Sequence, residues 1–385
     1  MAAPLEAGPG PRSAPDLAAG ALRPVPVRAV EGELTRLWEQ AARTRDAPGG
    51  PGALRARTMN LVVCAGAGAD PADLTLLLAE IMAAHPCRAL LLLEEPGGGA
   101  GVRATLGPLC HRAAAGGALV CGEQVLLAAG GEGRRAAAGA ALSLLVPDLP
   151  VILWWRGGAP EADERFARLA DVADRILLDS ARLGGAGPGL GGLADLVERY
   201  RSAALGDLQW GRLTPWRSLT AQFFDPPEMR PYLTRLAEVT MAFGPAPSGR
   251  GQALLYTGWL GGRLGWRGTG EAWREADGTM EATLAREGGA VRLLLTPGGA
   301  GSAEGLVGVT IVAEGEPPAR FRLERAADGV CVVTEAEHAG RPILTRTVCI
   351  EEPGEAALVE QDLRLPGRDR IFEEALRAAA ALAPR

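Results

Sequence analysis

The amino-acid sequence predicts an α/β chain of two domains: an N-terminal doubly wound, mostly parallel sheet domain, followed by a C-terminal α+β domain with an antiparallel sheet. Three observations predict it. From Thr58 to about residue 200, short continuous apolar runs alternate with helical stretches, as in a parallel sheet covered on both faces. After about residue 245, short strands follow one another through Gly- and Pro-rich turns with no helix between them. A length of 385 residues also exceeds one ordinary compact core.

The elements follow in order. Residues 1–25 are rich in Pro, Gly and Ala and predict a disordered tail. Folding begins near "VEGELTRLWEQ", where Val30, Leu34, Leu37 and Trp38 recur at helical spacing. "TMNLVVCAG" and "CRALLLLEE" read as strands flanking the helix "PADLTLLLAEIMAAH", which Pro71 opens. "GGALVCGEQVLLAAG" is a further extended region with the look of a hairpin, and "RRAAAGAALSLLV" a helix. Strand "PVILWWRG", helix "PEADERFARLADVA", strand "DRILLDS" and helix "GLADLVERYRSAA" follow. Beyond them, "GQALLYTGWLGGRLGW" reads as a helix, and "TMEATLAR", "AVRLLLTP", "GLVGVTIVAE", "ARFRLERAAD", "GVCVVTEAEH" and "ILTRTVCIEE" as strands. "EAALVEQDLRL" and "RDRIFEEALRAAAALA" close the chain as helices on one face of the sheet. The expected domains are 26–245, including a Trp/Arg-rich segment at 207–225, and 246–385, with "FGPAPSGRG" at the boundary.

Composition excludes several function classes. The net charge of −6 argues against a nucleic-acid surface or an anionic-membrane surface. All forty basic residues are arginine, so chemistry that needs a lysine amine, a Schiff base or a P-loop lysine, is excluded. The six cysteines form no C-x-x-C, and most sit in apolar runs, as buried free thiols of a reducing compartment would. The N-terminus lacks a secretory signal, and the longest apolar run, "ALSLLVPDLPVILWW", is broken by Pro147, Asp148 and Pro150. A soluble cytoplasmic protein is the expectation.

Few residues offer chemistry. "CAGAGAD" supplies Gly66 and Gly68 between a strand and a helix, the start of a dinucleotide fingerprint whose third glycine position is Pro71. His85, His111 and His338 lie in different elements without metal-ligand spacing, and read as loop or helix-end residues. Asp179 and Ser180 follow a strand, where ligand contacts and helix caps are both common. Ser143 and Ser180 lack a nucleophile-elbow context. Cys331 and Cys349 lie equally far from a turn at Gly340 and are expected cross-strand neighbours, read first as two small buried side chains and second as a thiol switch. Trp154 and Trp155 point to opposite faces of their strand, one into the core and the other toward an exposed edge. No catalytic residue, metal site or cofactor is assigned.

"WGRLTPWRSLTAQFFDPP" is the densest signal in a chain with 4% aromatics. Thr214 can cap a helix, Pro215 suits its first turn, and Trp216, Leu219, Phe223 and Phe224 form one stripe that Pro226 and Pro227 end. Arg212 and Arg217 sit near the helix start, where the macrodipole favours acids, and so point to a carboxylate or phosphate partner. A helix that pins the two domains together accounts for the same residues equally well.

Asp207, Leu208, Trp210, Arg212, Leu213, Thr214, Pro215, Trp216 and Arg217 give the block D-L-x-W-x-R-L-T-P-W-R. Together with "PDLPVILWWRG", "DRILLDS" and "RTMNLVV", it resembles the bacterial glucose-6-phosphate dehydrogenase assembly proteins, the OpcA family, over most of the chain from about Arg57. The resemblance implies a non-catalytic partner that binds glucose-6-phosphate dehydrogenase, promotes its active oligomer and supports the oxidative pentose phosphate pathway. It places the partner contacts at Trp210, Arg212, Trp216, Arg217 and Trp155. Some relatives are linked to thiol redox control through cysteines that this chain does not space as C-x-x-C. The alternative, from the residues alone, is a nucleotide- or sugar-phosphate-binding enzyme using the strand ends near Gly66, Asp179 and Ser180.

Overall fold

The computed structural model describes residues 17–19, 22–45, 53–97, 99–112, 119–183, 189–269, 273–298 and 304–382. The chain divides into two compact units, Met1–Trp155 with Glu164–Asp174, and Arg156–Asp163 with Arg175–Arg385. The change of pattern near residue 245 therefore falls inside the second unit.

In the first unit the strands are β1 (Leu17–Ala19), β2 (Arg23–Val25), β3 (Ala53–Arg55), β4 (Asn60–Ala65), β5 (Arg88–Glu94), β6 (Val102–Arg112), β7 (Leu119–Ala129) and β8 (Val151–Arg156). They run in the order β1-β6-β7-β5-β4-β8, with β2 on β6 and β3 on β7. β7, β5 and β4 pair in parallel, while β6 pairs antiparallel with β7 and carries β1 and β2. Most of the expected tail lies outside the described residues; its described parts, 17–19 and 23–25, are these two short strands. The expected hairpin within 116–130 is instead one long strand, β7, whose partner β6 precedes it. Helices α1 (Val30–Arg45), α2 (Pro71–Ala84), α3 (Gly133–Ser143) and α4 (Glu164–Ala170) complete the unit. Every residue of β4 is buried, as the continuous apolar run requires of a strand covered on both faces. The same burial takes in both Trp154 and Trp155, each 1% exposed, which corrects the expectation that one of them reaches an open edge.

The second unit holds a parallel pair, β9 (Arg175–Leu178) and β10 (Ala204–Asp207), linked by α5 (Gly189–Arg199). Then come α6 (Leu208–Arg212), α7 (Thr214–Gln222), β11 (Leu236–Phe243) and α8 (Pro247–Leu264). The second sheet adds β12 (Arg267–Gly268), β13 (Arg274–Ala276), β14 (Thr279–Arg286), β15 (Gly289–Pro297), β16 (Leu306–Ala313), β17 (Ala319–Arg325), β18 (Cys331–His338) and β19 (Arg341–Cys349). Its order is β12-β14-β15-β11-β16-β17-β18-β19, with β13 on β14. β11 sits in the middle, parallel to β15 and antiparallel to β16, so this sheet takes a strand from before residue 245. The remaining pairs are antiparallel, as the alternating apolar pattern of β17 predicts for a sheet with one covered face. Helices α9 (Glu355–Leu363) and α10 (Arg370–Leu382) close the chain. α10 lies so close to α8 that a Cβ on Gly258 would strike the Ala375 carbonyl, so only glycine fits there.

Two cross-strand disulfides, Cys110–Cys121 and Cys331–Cys349, correct the expectation of buried free thiols. Each pair is directly opposite in an antiparallel ladder, which places the sulfurs within bonding reach. Cys64 and Cys87 stay outside the disulfides, and burial pushes the Cys87 thiol pKa well up. Of the histidines, His85 ends α2, while His111 and His338 lie within strands rather than loops. No helix among the described residues is long and apolar enough to cross a membrane.

Candidate functional site

The carboxyl ends of β9 and β10 carry Asp179 and Asp207, the position where α/β sheets gather ligands. Asp207 ends its strand and caps α6: Oδ1 accepts the Gln209 amide N–H at 3.1 Å and the Ser180 amide N–H at 3.0 Å. Its Oδ2 is buried and has no hydrogen-bond partner among the described residues. Burial, and then the charge of Asp179, push the Asp207 carboxyl up to about 6, against the pull of the amide hydrogen bonds.

That value sets a pH dependence. A folded-state pKa above the ordinary 3.8 means that the folded chain holds the proton more tightly, so the contribution to stability is full below pH 3.8 and is lost as pH rises through 6. Asp207→Asn keeps the Oδ1 acceptor and removes the titration. The stability of the parent relative to this variant should therefore fall by about 2 kcal/mol between pH 4 and pH 7. Urea midpoints at the two pH values measure it, and a pH-independent difference between the two proteins would refute it.

Asp179, 4% exposed, is held by a directional chain of hydrogen bonds. The Leu306 amide N–H donates to Gln252 Oε1 (3.0 Å), Gln252 Nε2 to Gln209 Oε1 (2.8 Å), and Gln209 Nε2 to Asp179 Oδ1 (2.6 Å). Arg212 donates to the other oxygen, Asp179 Oδ2, at 3.0 Å. The carboxylate expected opposite Arg212 is thus in the chain itself. These groups border a cavity of about 260 Å³ whose wall also includes Trp216, Ser248 and Arg325.

The Trp/Arg segment builds the floor beneath it. Leu213, not Thr214, stands at the N-cap of α7; the Thr214 hydroxyl accepts from Arg217 at 2.9 Å instead of capping. Trp216, Leu219, Phe223 and Phe224 are buried as the stripe predicts, with both phenylalanines against Phe321 at centroid distances of 5.2 and 4.8 Å. Trp210 donates from Nε1 to Asp369 at 2.9 Å, and the Arg217 guanidinium lies 3.2 Å over its ring, a desolvated cation–π contact. Burial lowers the Arg217 pKa to about 10.

Of the five expected partner contacts, Trp210, Trp216 and Trp155 are buried at 7%, 3% and 1% exposure, and Arg217 is spent on Trp210. Trp155 lies in the first unit against Phe166, with Arg165 over its ring. Arg212, its side chain 30% exposed, and Arg217 are the two of the five that are only partly buried. The three tryptophans are buried within their own units because large aromatics gain most by leaving water.

The remaining candidates differ. Gly68, at φ +81, turns the loop before α2, but Asp70 already caps that helix by accepting the Ala72 amide N–H, putting a carboxylate where a phosphate would sit. Ser180 gives its amide to Asp207. Ser248, Gln209, Gln252 and Arg325 were not legible as site residues; Ser248 falls in "FGPAPSGRG", which the sequence offered only as a boundary. No group of three His, Cys, Asp or Glu side chains among the described residues could hold a metal ion.

Two family models match the chain. One, described as the glucose-6-phosphate dehydrogenase subunit N-terminal domain, covers residues 78–194, and the other, the corresponding C-terminal domain, covers 203–376. A Synechocystis protein named "Putative OxPP cycle protein OpcA" is 34% identical over 192 residues, which is 48% of this chain and 38% of that protein. A Nostoc punctiforme protein of the same name is 32% identical over 189 residues, 49% of this chain and 40% of that protein. The match thus spans about two fifths of the length of these curated relatives. A solved structure described as a "putative oxidoreductase" from Parabacteroides merdae gives a TM-score of 0.48 at 8% identity over 84% of this chain and 96% of that one, too distant to bear on fold or activity. With family models over both halves, and with the Trp/Arg block folded as one packed unit at the head of the second, the chain belongs to the OpcA family of glucose-6-phosphate dehydrogenase subunit domains.

Proposed function

We propose that the chain is a non-catalytic partner of glucose-6-phosphate dehydrogenase that binds the enzyme and promotes its active oligomer, so serving the oxidative pentose phosphate pathway. Membership of a family whose two domain models carry the dehydrogenase's name is the observation that carries this reading. The Asp179 carboxylate is tied to Arg212 and Gln209 within the chain, which fits a structural role for it.

On this reading the buried Trp210 and Trp216 act as scaffold, and the contact with the enzyme lies at a rim formed by the more exposed Arg212 and the neighbouring Arg182, whose side chains are 30% and 46% exposed. Interface arginines are frequent hot spots. Mixing the chain with dehydrogenase from the same organism should shift the enzyme's sedimentation toward a larger species and raise its activity at low substrate. Arg182→Ala should weaken that effect about tenfold in the concentration required. If a molar excess changes neither sedimentation nor kinetics, the proposal is wrong; full potency in the folded variant would move the contact elsewhere.

A further inference from the structure

We infer that the cavity bounded by Asp179, Arg212, Trp216, Ser248 and Arg325 is a binding site for a small phosphorylated polyol. Two polar groups in its wall carry the inference. The Ser248 hydroxyl, in a residue 9% exposed, is buried and has no hydrogen-bond partner among the described residues. The same is true of Arg325 Nε, although the rest of that guanidinium is engaged by the Gly329 carbonyl at 2.7 Å and Glu352 at 2.8 Å. A buried donor left unmade costs on the order of 1–3 kcal/mol, so two such groups in residues that line one cavity point to a ligand, rather than the chain, completing the bonding.

The remaining wall narrows the chemistry. Ser248 stands in the first turn of α8, an eighteen-residue helix whose N-terminal dipole favours an anion. No acid sits in that first turn. Arg325 adds a permanent charge, and Arg182 and Arg212 line the same cavity. This half of the wall suits a phosphate. Asp179, Glu304 and Glu352 also line it; Asp179 and Glu352 already pair with Arg212 and Arg325, but a carboxylate oxygen accepts more than one hydrogen bond, so ligand hydroxyls can donate here and a bare anion cannot. A volume of about 260 Å³ is below that of a nucleotide-sized or drug-sized site and fits a three- to six-carbon sugar phosphate. Trp216, beneath Arg325 at 5.8 Å, gives the wall an apolar face for a carbon skeleton.

The site does not rest on the dehydrogenase partnership, and the isolated chain tests it. Isothermal titration with ribose 5-phosphate should give saturable binding in the micromolar to low millimolar range, with ribose and inorganic phosphate each binding at least tenfold more weakly. Ser248→Ala should weaken ribose 5-phosphate about fivefold and Arg325→Lys at least tenfold, as expected for one neutral and one charge-assisted hydrogen bond. Ser248→Ala removes an unbonded hydroxyl, so folding is not at issue in that variant. Absence of binding by ribose 5-phosphate, glycerol 3-phosphate and fructose 6-phosphate would overturn the inference. So would equal affinity for inorganic phosphate, tighter binding of gluconate than of any phosphate ester, or binding that both variants leave unchanged.

Discussion

Glu123→Ala is expected to destabilise the first unit by about 3–5 kcal/mol, the cost of breaking a buried ion pair from one side. Glu123 lies in the middle of β7 with no solvent exposure. Its Oε1 accepts from Trp38 Nε1 at 2.7 Å and Arg55 Nε at 2.6 Å, and its Oε2 from Arg88 Nε at 2.7 Å, with Arg57 at 3.6 Å. One carboxylate therefore pairs with three arginines and ties α1 and the edge strand β3 to β7. Burial alone would raise its pKa; the charge and hydrogen bond of Arg88, aided by Arg55 and Arg57, lower it instead. A lowered folded-state pKa gives stability that is present above pH 4.5 and is lost as pH falls through the folded value. Without Glu123, Arg88, whose side chain is 3% exposed, keeps only the more exposed Glu31 as a charged partner. Denaturant unfolding should show the loss at pH 7, shrinking below about pH 4, and Glu123→Gln should keep the packing but recover less than half of it. A loss under about 1 kcal/mol for the alanine variant would mean that the arginines find water instead.

Glu123 also shows where the sequence was readable and where it was not. "LVCGEQVLLAA" announces a strand through its apolar run, but a charge in its centre has meaning only once the partners from residues 38, 55 and 88 arrive through the fold. β4, β5 and β8 were legible for the same reason as β7: strands covered on both faces are apolar throughout. β6 was not, because Gly107 and Pro108 interrupt it, and β10 was not recognised because its four residues, Ala204–Asp207, fall between the preceding helix and the Trp/Arg segment and are too few to show a pattern. β11 alternates in "LAEVTMAF", but the mixed composition before residue 245 hid its place at the centre of the second sheet. The Trp/Arg block was visible as a helix with one apolar stripe. Its arginines looked like groups awaiting an outside partner because Asp179, more than thirty residues earlier in the chain, can be recognised as the partner of Arg212 only through the parallel pairing of β9 and β10. The cavity joins residues 179, 212, 248 and 325, which no spacing rule could have associated.

Trp216→Ala is expected to cost the second unit about 3–5 kcal/mol, the range for truncating a fully packed tryptophan. Trp216 is 3% exposed, starts the apolar stripe of α7, and supports Arg325 from below. α7 is a short helix that also holds α8 through the Thr220 hydroxyl and Tyr256, so lost packing at its first turn is not easily absorbed by its neighbours. Trp216→Phe restores an aromatic face of smaller area and should recover more than half of the loss, as measured by denaturant midpoints. The two variants also separate the roles assigned to the block. If it is a scaffold for the rim, the effect on the dehydrogenase should follow the folded fraction: Trp216→Phe should act like the parent, and Trp216→Ala should regain potency at low temperature, where it is folded. Normal stability in Trp216→Phe with potency lost would instead make the indole itself a contact, which its burial opposes. Arg182→Ala should show the opposite pattern, with stability within about 1 kcal/mol of the parent, because Asp179 keeps Arg212 and Glu355 keeps Arg156, and potency reduced. A block that organises the surface and a rim that makes the contact thus leave different signatures in the same two measurements.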